Sequence, residues 1–143
     1  MAIGKRSKKM IAILLSAYCL MPFSSKAQNE KALIKKGNEA YEKKDYDNAI
    51  TQYQQASVKN PDNPTAHYNL GNALYKNKKV DEAVPAYDEA VSTASSKTDK
   101  SKSFYNKGVL LQNNKKLPEW IEAYNNALKL NTQDENARQN MQK

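Results

Sequence analysis

Three glycines, Gly37, Gly71 and Gly108, stand 34 and 37 residues apart in this 143-residue chain, and each heads the same stretch of sequence. Gly37-Asn38-Glu39-Ala40-Tyr41 parallels Gly71-Asn72-Ala73-Leu74-Tyr75. Downstream, Ala49-Ile50-Thr51-Gln52-Tyr53-Gln54-Gln55-Ala56 parallels Ala83-Val84-Pro85-Ala86-Tyr87-Asp88-Glu89-Ala90. The third copy reads Trp120-Ile121-Glu122-Ala123-Tyr124-Asn125-Asn126-Ala127. A repeat of this period marks a stack of supersecondary units, none of which can bury its apolar face alone. The chain must therefore fold as an array with one continuous core.

Within each unit the apolar residues recur at helical period. This predicts helices near 30–43 and 46–59, 64–77 and 80–93, then 101–114 and 118–130. Only four glycines and five prolines are present to interrupt them. The intra-unit turns, Lys43-Lys44-Asp45, Lys76-Asn77-Lys78-Lys79 and Asn113-Asn114-Lys115-Lys116, are short enough to force antiparallel pairs. Asp45 is placed to cap the second helix of the first unit. Asn60-Pro61-Asp62-Asn63-Pro64 closes that unit with a helix stop and a helix start. The glycines are expected where two helices cross closely, with Tyr53, Tyr87 and Tyr124 filling the space between helices and Ala56, Ala90 and Ala127 admitting the next unit.

Some residues break the pattern. Trp120 takes the place of Ala49 and Ala83, which are expected to face the crossing glycines. An indole there must spread its helix pair or swing outward to partial exposure. Pro85 lies beyond the first turn of its helix, so that helix must start late or kink. Three extra residues within Ser95–Lys100 are expected to lengthen a loop. Residues 134–143 read as the start of a capping helix.

Charge is unevenly placed. Five of the eight excess positive charges, Lys5, Arg6, Lys8, Lys9 and Lys26, lie in residues 1–27, where there is no acid. The rest of the chain mixes both signs, which argues against a nucleic-acid footprint. The basic stretch precedes an apolar run from Met10 to Phe23 and then Ser25-Lys26-Ala27, the layout of an export signal. We expect residues 1–27 to be a signal peptide, residues 28–143 the mature domain, and membrane contact only through an uncleaved signal segment. Cys19, the only cysteine, has Tyr18 before it instead of the small residue that lipidation requires; cleavage after Ala27 would remove it. His67, the only histidine, occupies an aromatic slot and is expected to pack there. With no second histidine and no Gly-rich phosphate loop, neither a catalytic set nor a metal site can be assembled, and no cofactor or small-molecule substrate is expected. Asp81-Glu82 and Asp134-Glu135 sit at helix starts, where carboxylates favour the dipole.

The repeat resembles the tetratricopeptide-repeat (TPR) family, whose pattern is Trp-x-x-Leu-Gly-x-x-Tyr, then Ala-x-x-x-Phe, then Pro. His67, Leu70, Gly71, Leu74, Ala83 and Tyr87 fit it in the second unit, and the resemblance spans about residues 30–140. It implies an all-α, right-handed superhelix of three helix-turn-helix units, about 30–63, 64–97 and 101–134, with a short C-terminal capping helix. It further implies a protein-binding concave face lined by the first helices. On those helices lie Lys31, Lys35, Asn38 and Tyr41; Tyr68, Asn69, Asn72 and Tyr75; and Lys102, Tyr105, Asn106 and Asn113. Asn38, Asn69 and Lys102 also match part of a set with which some TPR proteins clamp a C-terminal carboxylate, while Ile34 and Asn106 replace two of its cations. Lys35-Lys36-Gly37-Asn38-Glu39-Ala40-Tyr41 and the stretch from His67 to Tyr75 are similar to TPR proteins of bacterial aerotolerance operons. That resemblance implies an exported adaptor in the periplasm or on the outer face of the inner membrane, beside membrane-anchored partners with von Willebrand A-type domains. The alternative is a self-associating structural solenoid, because an array can stack through its ends.

Overall fold

The computed structural model describes residues 23–116 and 118–142, with side chains from residue 29 onward. Seven helices form within these residues: α1 Phe23–Glu42, α2 Tyr46–Lys59, α3 Pro64–Lys76, α4 Val80–Thr93, α5 Lys97–Asn113, α6 Glu119–Leu130 and α7 Glu135–Asn140. The main packing joins α1 to α2, α3 to α4 and α5 to α6, with α3 on α2 and α5 on α4 linking the units. This is the expected all-α array of three helical pairs, and α7 closes its end. Among the described residues no helix is long and apolar enough to cross a membrane. Residues 1–22, with the basic stretch of residues 5–9, most of the apolar run and Cys19, lie outside the described residues.

The caps follow from local chemistry. The Asp45 carboxylate accepts the Asn48 N–H at 3.3 Å, and Asn63 accepts from Thr65 and Ala66 with Pro64 at the first helical position. Each intra-unit turn closes the same way. At the first, Lys44 N–H donates to Tyr41 and Asp45 N–H to Ala40, both at 2.9 Å. This bonding requires a left-handed residue between helix and exit, a place usually taken by glycine. Here it is a lysine every time: Lys44, Lys78 and Lys115 have φ of 61°, 63° and 54°. Their ammonium groups lie where a helix C-terminus favours positive charge.

Three expectations need correction, and the alternative left open at Pro85 narrows. Helix α1 begins at Phe23, earlier than residue 30, because no glycine or proline interrupts the stretch from Phe23 to Glu30. The extra residues near 95–100 do not lengthen a loop. Ser96 accepts the Asp99 N–H at 3.3 Å, and Lys97–Lys100 become an added first turn of α5. Helix α4 starts at Val80, not late, and carries Pro85 within it. Pro85 and Asp81 are both exposed, so water can serve the Asp81 carbonyl that a residue-85 N–H would otherwise meet.

The last correction concerns the glycines. The atoms nearest a Cβ built on Gly37, Gly71 or Gly108 belong to Tyr53, Tyr87 and Tyr124, at 2.5, 2.8 and 2.7 Å. The crossing partner is therefore the tyrosine, not the alanine or Trp120 four residues before it. Trp120 is half-buried and packs edge-on against Tyr124, ring centroids 5.9 Å apart. It joins the two apolar clusters instead of filling the slot over Gly108.

The array is sealed at its joints by polar contacts. Glu30 is buried and accepts from the side-chain amides of Asn60 and Asn63, tying the start of α1 to the inter-unit turn. His67 is half-buried, as expected, and its Nε2 donates to the Pro61 carbonyl at 2.7 Å. At the far end Asp134 caps α7, which buries Ala137 against Tyr124 and Ala127.

Candidate functional site

Helices α1, α3 and α5, the first of each pair, carry the site, and positions counted from the crossing glycine explain its geometry. One residue after the glycine stand Asn38, Asn72 and Val109. Two residues before it stand Lys35, Asn69 and Asn106. Tyr53 O–H donates to Asn38 Oδ1 at 2.7 Å, and Tyr87 O–H donates to Asn72 Oδ1 at 2.7 Å. The next unit then reaches back: Asn69 Nδ2 donates to Asn38 Oδ1 at 3.2 Å, and Asn106 Nδ2 to Asn72 Oδ1 at 3.0 Å. Asn106 Nδ2 also donates to Tyr68 O–H at 2.9 Å. The result is a ladder running across the units, in which each acceptor oxygen is used twice.

The ladder changes hands in the third unit. Val109 cannot accept, so Tyr124 O–H donates to Gln112 Oε1 at 3.0 Å. Asn140 of the capping helix supplies the step that a fourth unit would have made, donating to Tyr105 O–H at 3.2 Å. Asn113 Nδ2 donates to Tyr75 O–H at 2.5 Å.

This wiring fixes what remains for a ligand. With Oδ1 saturated, Asn38 and Asn72 keep their Nδ2 donors, which bond to no described residue. Beside them lie two depressions of about 190 and 270 Å³. The first is lined by Asn38, Tyr41, Glu42, Tyr53, Asn69 and Asn72; the second adds Tyr75, Lys76, Tyr87, Asn106 and Val109. Tyr41 and Asn72 belong to both, so the two form one trough. Its floor hydroxyls stay protonated. Burial, then the neighbouring Tyr41 and Glu42, pushes Tyr53 up to about 12. Burial, then Tyr68, Tyr41 and Tyr75, raises Tyr87 strongly. Tyr41 is raised as well, by burial first and then by Tyr46 and Tyr68.

The structure thus brings together Asn38, Tyr41, Asn69, Asn72, Tyr75 and Asn106 of the sequence-derived set. Tyr68 and Tyr105 are half-buried members of the ladder. Lys31 and Lys35 are exposed on α1, and Lys35 lies 4.0 Å from Glu39. Lys102 lines a separate depression with Pro64, Thr65, Tyr68 and Ser103, and its nearest acid is Asp99 at 3.9 Å. Of the clamp trio, Asn38 and Asn69 are hydrogen-bonded to each other, and Lys102 is not part of their trough. Sequence reasoning missed Gln112 and Asn140. The 34-residue spacing from Asn106 to Asn140 is the signal that finds the second.

Comparison with known proteins agrees with the fold. The family model described as "TPR repeat" matches residues 37–78. Models described as "Tetratricopeptide repeat" match 64–96 and 101–134. No curated protein matches the chain. Among solved structures, the first TPR of Spaghetti (RPAP3) bound to the HSP90 peptide SRMEEVD is 26% identical with a TM-score of 0.73, covering 80% of this chain and 89% of that one. The N-terminal domain of stress-induced protein-1 from C. elegans, 21% identical, superposes with a TM-score of 0.78 over 83% of this chain and 96% of its own. YrrB, a TPR protein described as having an unusual peptide-binding site, is 17% identical with a TM-score of 0.73, over 80% of this chain and 58% of that one.

Proposed function

Because this chain belongs to the tetratricopeptide-repeat family, we propose that it is an adaptor whose trough across α1, α3 and α5 holds an extended peptide segment of a partner protein. The observation that carries this is the pair of unspent Nδ2 donors on Asn38 and Asn72, held in place by buried tyrosines. An extended peptide presents carbonyl oxygens that such donors can meet, and Tyr41 and Tyr75 add rigid contact area. The ligand of the Spaghetti TPR is itself a peptide, which supports the same class of partner here.

The recognition we propose runs through neutral amides, although Glu42 and Lys76 also line the trough. The amides and hydroxyls of the trough need no terminal carboxylate, and Lys102 stands apart with Asp99. Random peptides displayed on phage and selected on the immobilised chain should yield binders that bind equally well with free or amidated C-termini. Loss of binding on amidation would favour the carboxylate clamp instead. Failure to select any peptide that competes for the trough would overturn the adaptor reading.

Two further elements are proposed from the sequence. Export, with removal of residues 1–27, is supported by the basic, apolar and small-residue order of residues 5–27. A place in a cell-envelope complex beside von Willebrand A-type partners, in an aerotolerance system, is supported by the wording of residues 35–41 and 67–75.

A further inference from the structure

A larger depression, about 600 Å³, lies between the second helices α4 and α6 above α5. Just before the crossing glycine the three units have Lys36, Leu70 and Lys107; Leu70 packs against the core, whereas Lys107 lines this groove. The Lys107 side chain is only 21% exposed and its ammonium donates to Asp88 at 2.6 Å. Next to it Lys116 donates to Asp81 at 2.7 Å. Both lysines lining the groove are therefore committed to aspartates on α4.

The α6 wall has no such compensation. Glu119 and Glu122 line the groove, and neither has an ion-pair or hydrogen-bond partner among the described residues. Glu122 stands where the preceding unit has Pro85, so the second of these carboxylates is peculiar to this joint. Half-buried Val84 on α4 and Phe104 on α5 present an apolar surface here, with Leu111 buried beside them. Two uncompensated carboxylates over an apolar floor complement a ligand with the opposite charge and an apolar side chain.

We propose that this groove is a second docking site, which takes a cationic segment of a partner protein, its Lys or Arg on Glu119 and Glu122 and an aliphatic or aromatic side chain on Val84 and Phe104. It is independent of the trough: it opens between α4 and α6 and rests on carboxylates of α6, where the trough reading rests on the amides of Asn38 and Asn72. One chain could then hold two segments at once, and linked segments would gain by effective concentration.

The test uses a synthetic peptide, Lys-Leu-Lys-Phe-Lys with both ends blocked, titrated into the 15N-labelled chain. Amide shifts are expected on α4 and α6, with Asn38 and Asn72 unmoved. Glu119→Gln/Glu122→Gln should weaken the peptide at least fivefold and flatten its salt dependence. Both substitutions are at exposed positions and should leave the circular dichroism unchanged. Replacing Leu and Phe of the peptide by serine should also weaken it at least fivefold. The proposal is overturned if no shifts arise, if they map to the trough, or if the double variant binds as the parent does. Equal binding by the serine peptide or by a glutamate-for-lysine peptide overturns it too.

Discussion

Replacing Tyr87 by alanine should cost the array about 3–5 kcal/mol, a large part of the roughly 5–15 kcal/mol that holds a domain together. The side chain is fully buried, its ring lies against Gly71 and edge-on to Tyr68 at 6.2 Å, and its hydroxyl anchors Asn72. Truncation removes all three contacts and leaves a cavity at the central joint. Tyr87→Phe should cost only about 1 kcal/mol, because Asn72 Oδ1 keeps its donor from Asn106. Gly71→Ala places a methyl 2.8 Å from two ring carbons. Overpacking of about 1–3 kcal/mol should there exceed the roughly 1 kcal/mol that alanine gains in a helix. Combined with Tyr87→Ala, the same methyl enters vacated space, so the double variant should be clearly less destabilised than the sum. Urea denaturation followed by circular dichroism measures each term. Additive losses would show that the ring is not what the glycine accommodates.

Alkali should unfold the array. Burial raises Tyr87 strongly and pushes Tyr53 and Tyr124 up to about 12, against an ordinary value near 10 in an unfolded chain. A folded-state value above the unfolded one means that these hydroxyls contribute full stability below pH ~10. That contribution is lost as pH rises through about 12. Helicity should therefore hold to pH ~10 and fall across the next two units, with the absorbance of the buried tyrosinates appearing in step with its loss. Tyr53→Phe should move the midpoint upward, since phenylalanine cannot ionise. Helicity retained beyond pH 12, or buried tyrosinate formed while helicity persists below pH 10, would contradict the burial of these hydroxyls.

The repeat made the pairing of helices legible because spacing alone decides it: Gly37, Gly71 and Gly108 keep register with Tyr53, Tyr87 and Tyr124. What spacing could not decide is which residue meets each glycine. Ala49 and Tyr53 are four residues apart and share one helical face, so either could stand opposite Gly37. Only the packing of the pair shows that it is the tyrosine. The same limit misplaced Trp120. Length alone makes the insertion near Ser96 a loop, although Ser96 and Asp99 are spaced as a cap and its first turn. In the trough, the asparagines were legible as residues of a concave face. Which end of each amide is spent was not, because it depends on Tyr53, Tyr87 and the following unit converging on Oδ1. Alanine variants of these asparagines would therefore mislead: they would strip buried tyrosines of their acceptors and weaken the fold together with the site.

Asn38→Asp/Asn72→Asp avoids that confusion, since each carboxylate keeps an oxygen for Tyr53 or Tyr87 and for the next unit's amide while deleting the Nδ2 donor. The decisive measurement is the affinity of a selected trough peptide for this double variant, taken beside its urea midpoint. A loss of affinity of tenfold or more, with the midpoint close to that of the parent, is the predicted result. Unchanged affinity in a folded double variant would contradict the claim that the trough holds its partner through these two amides.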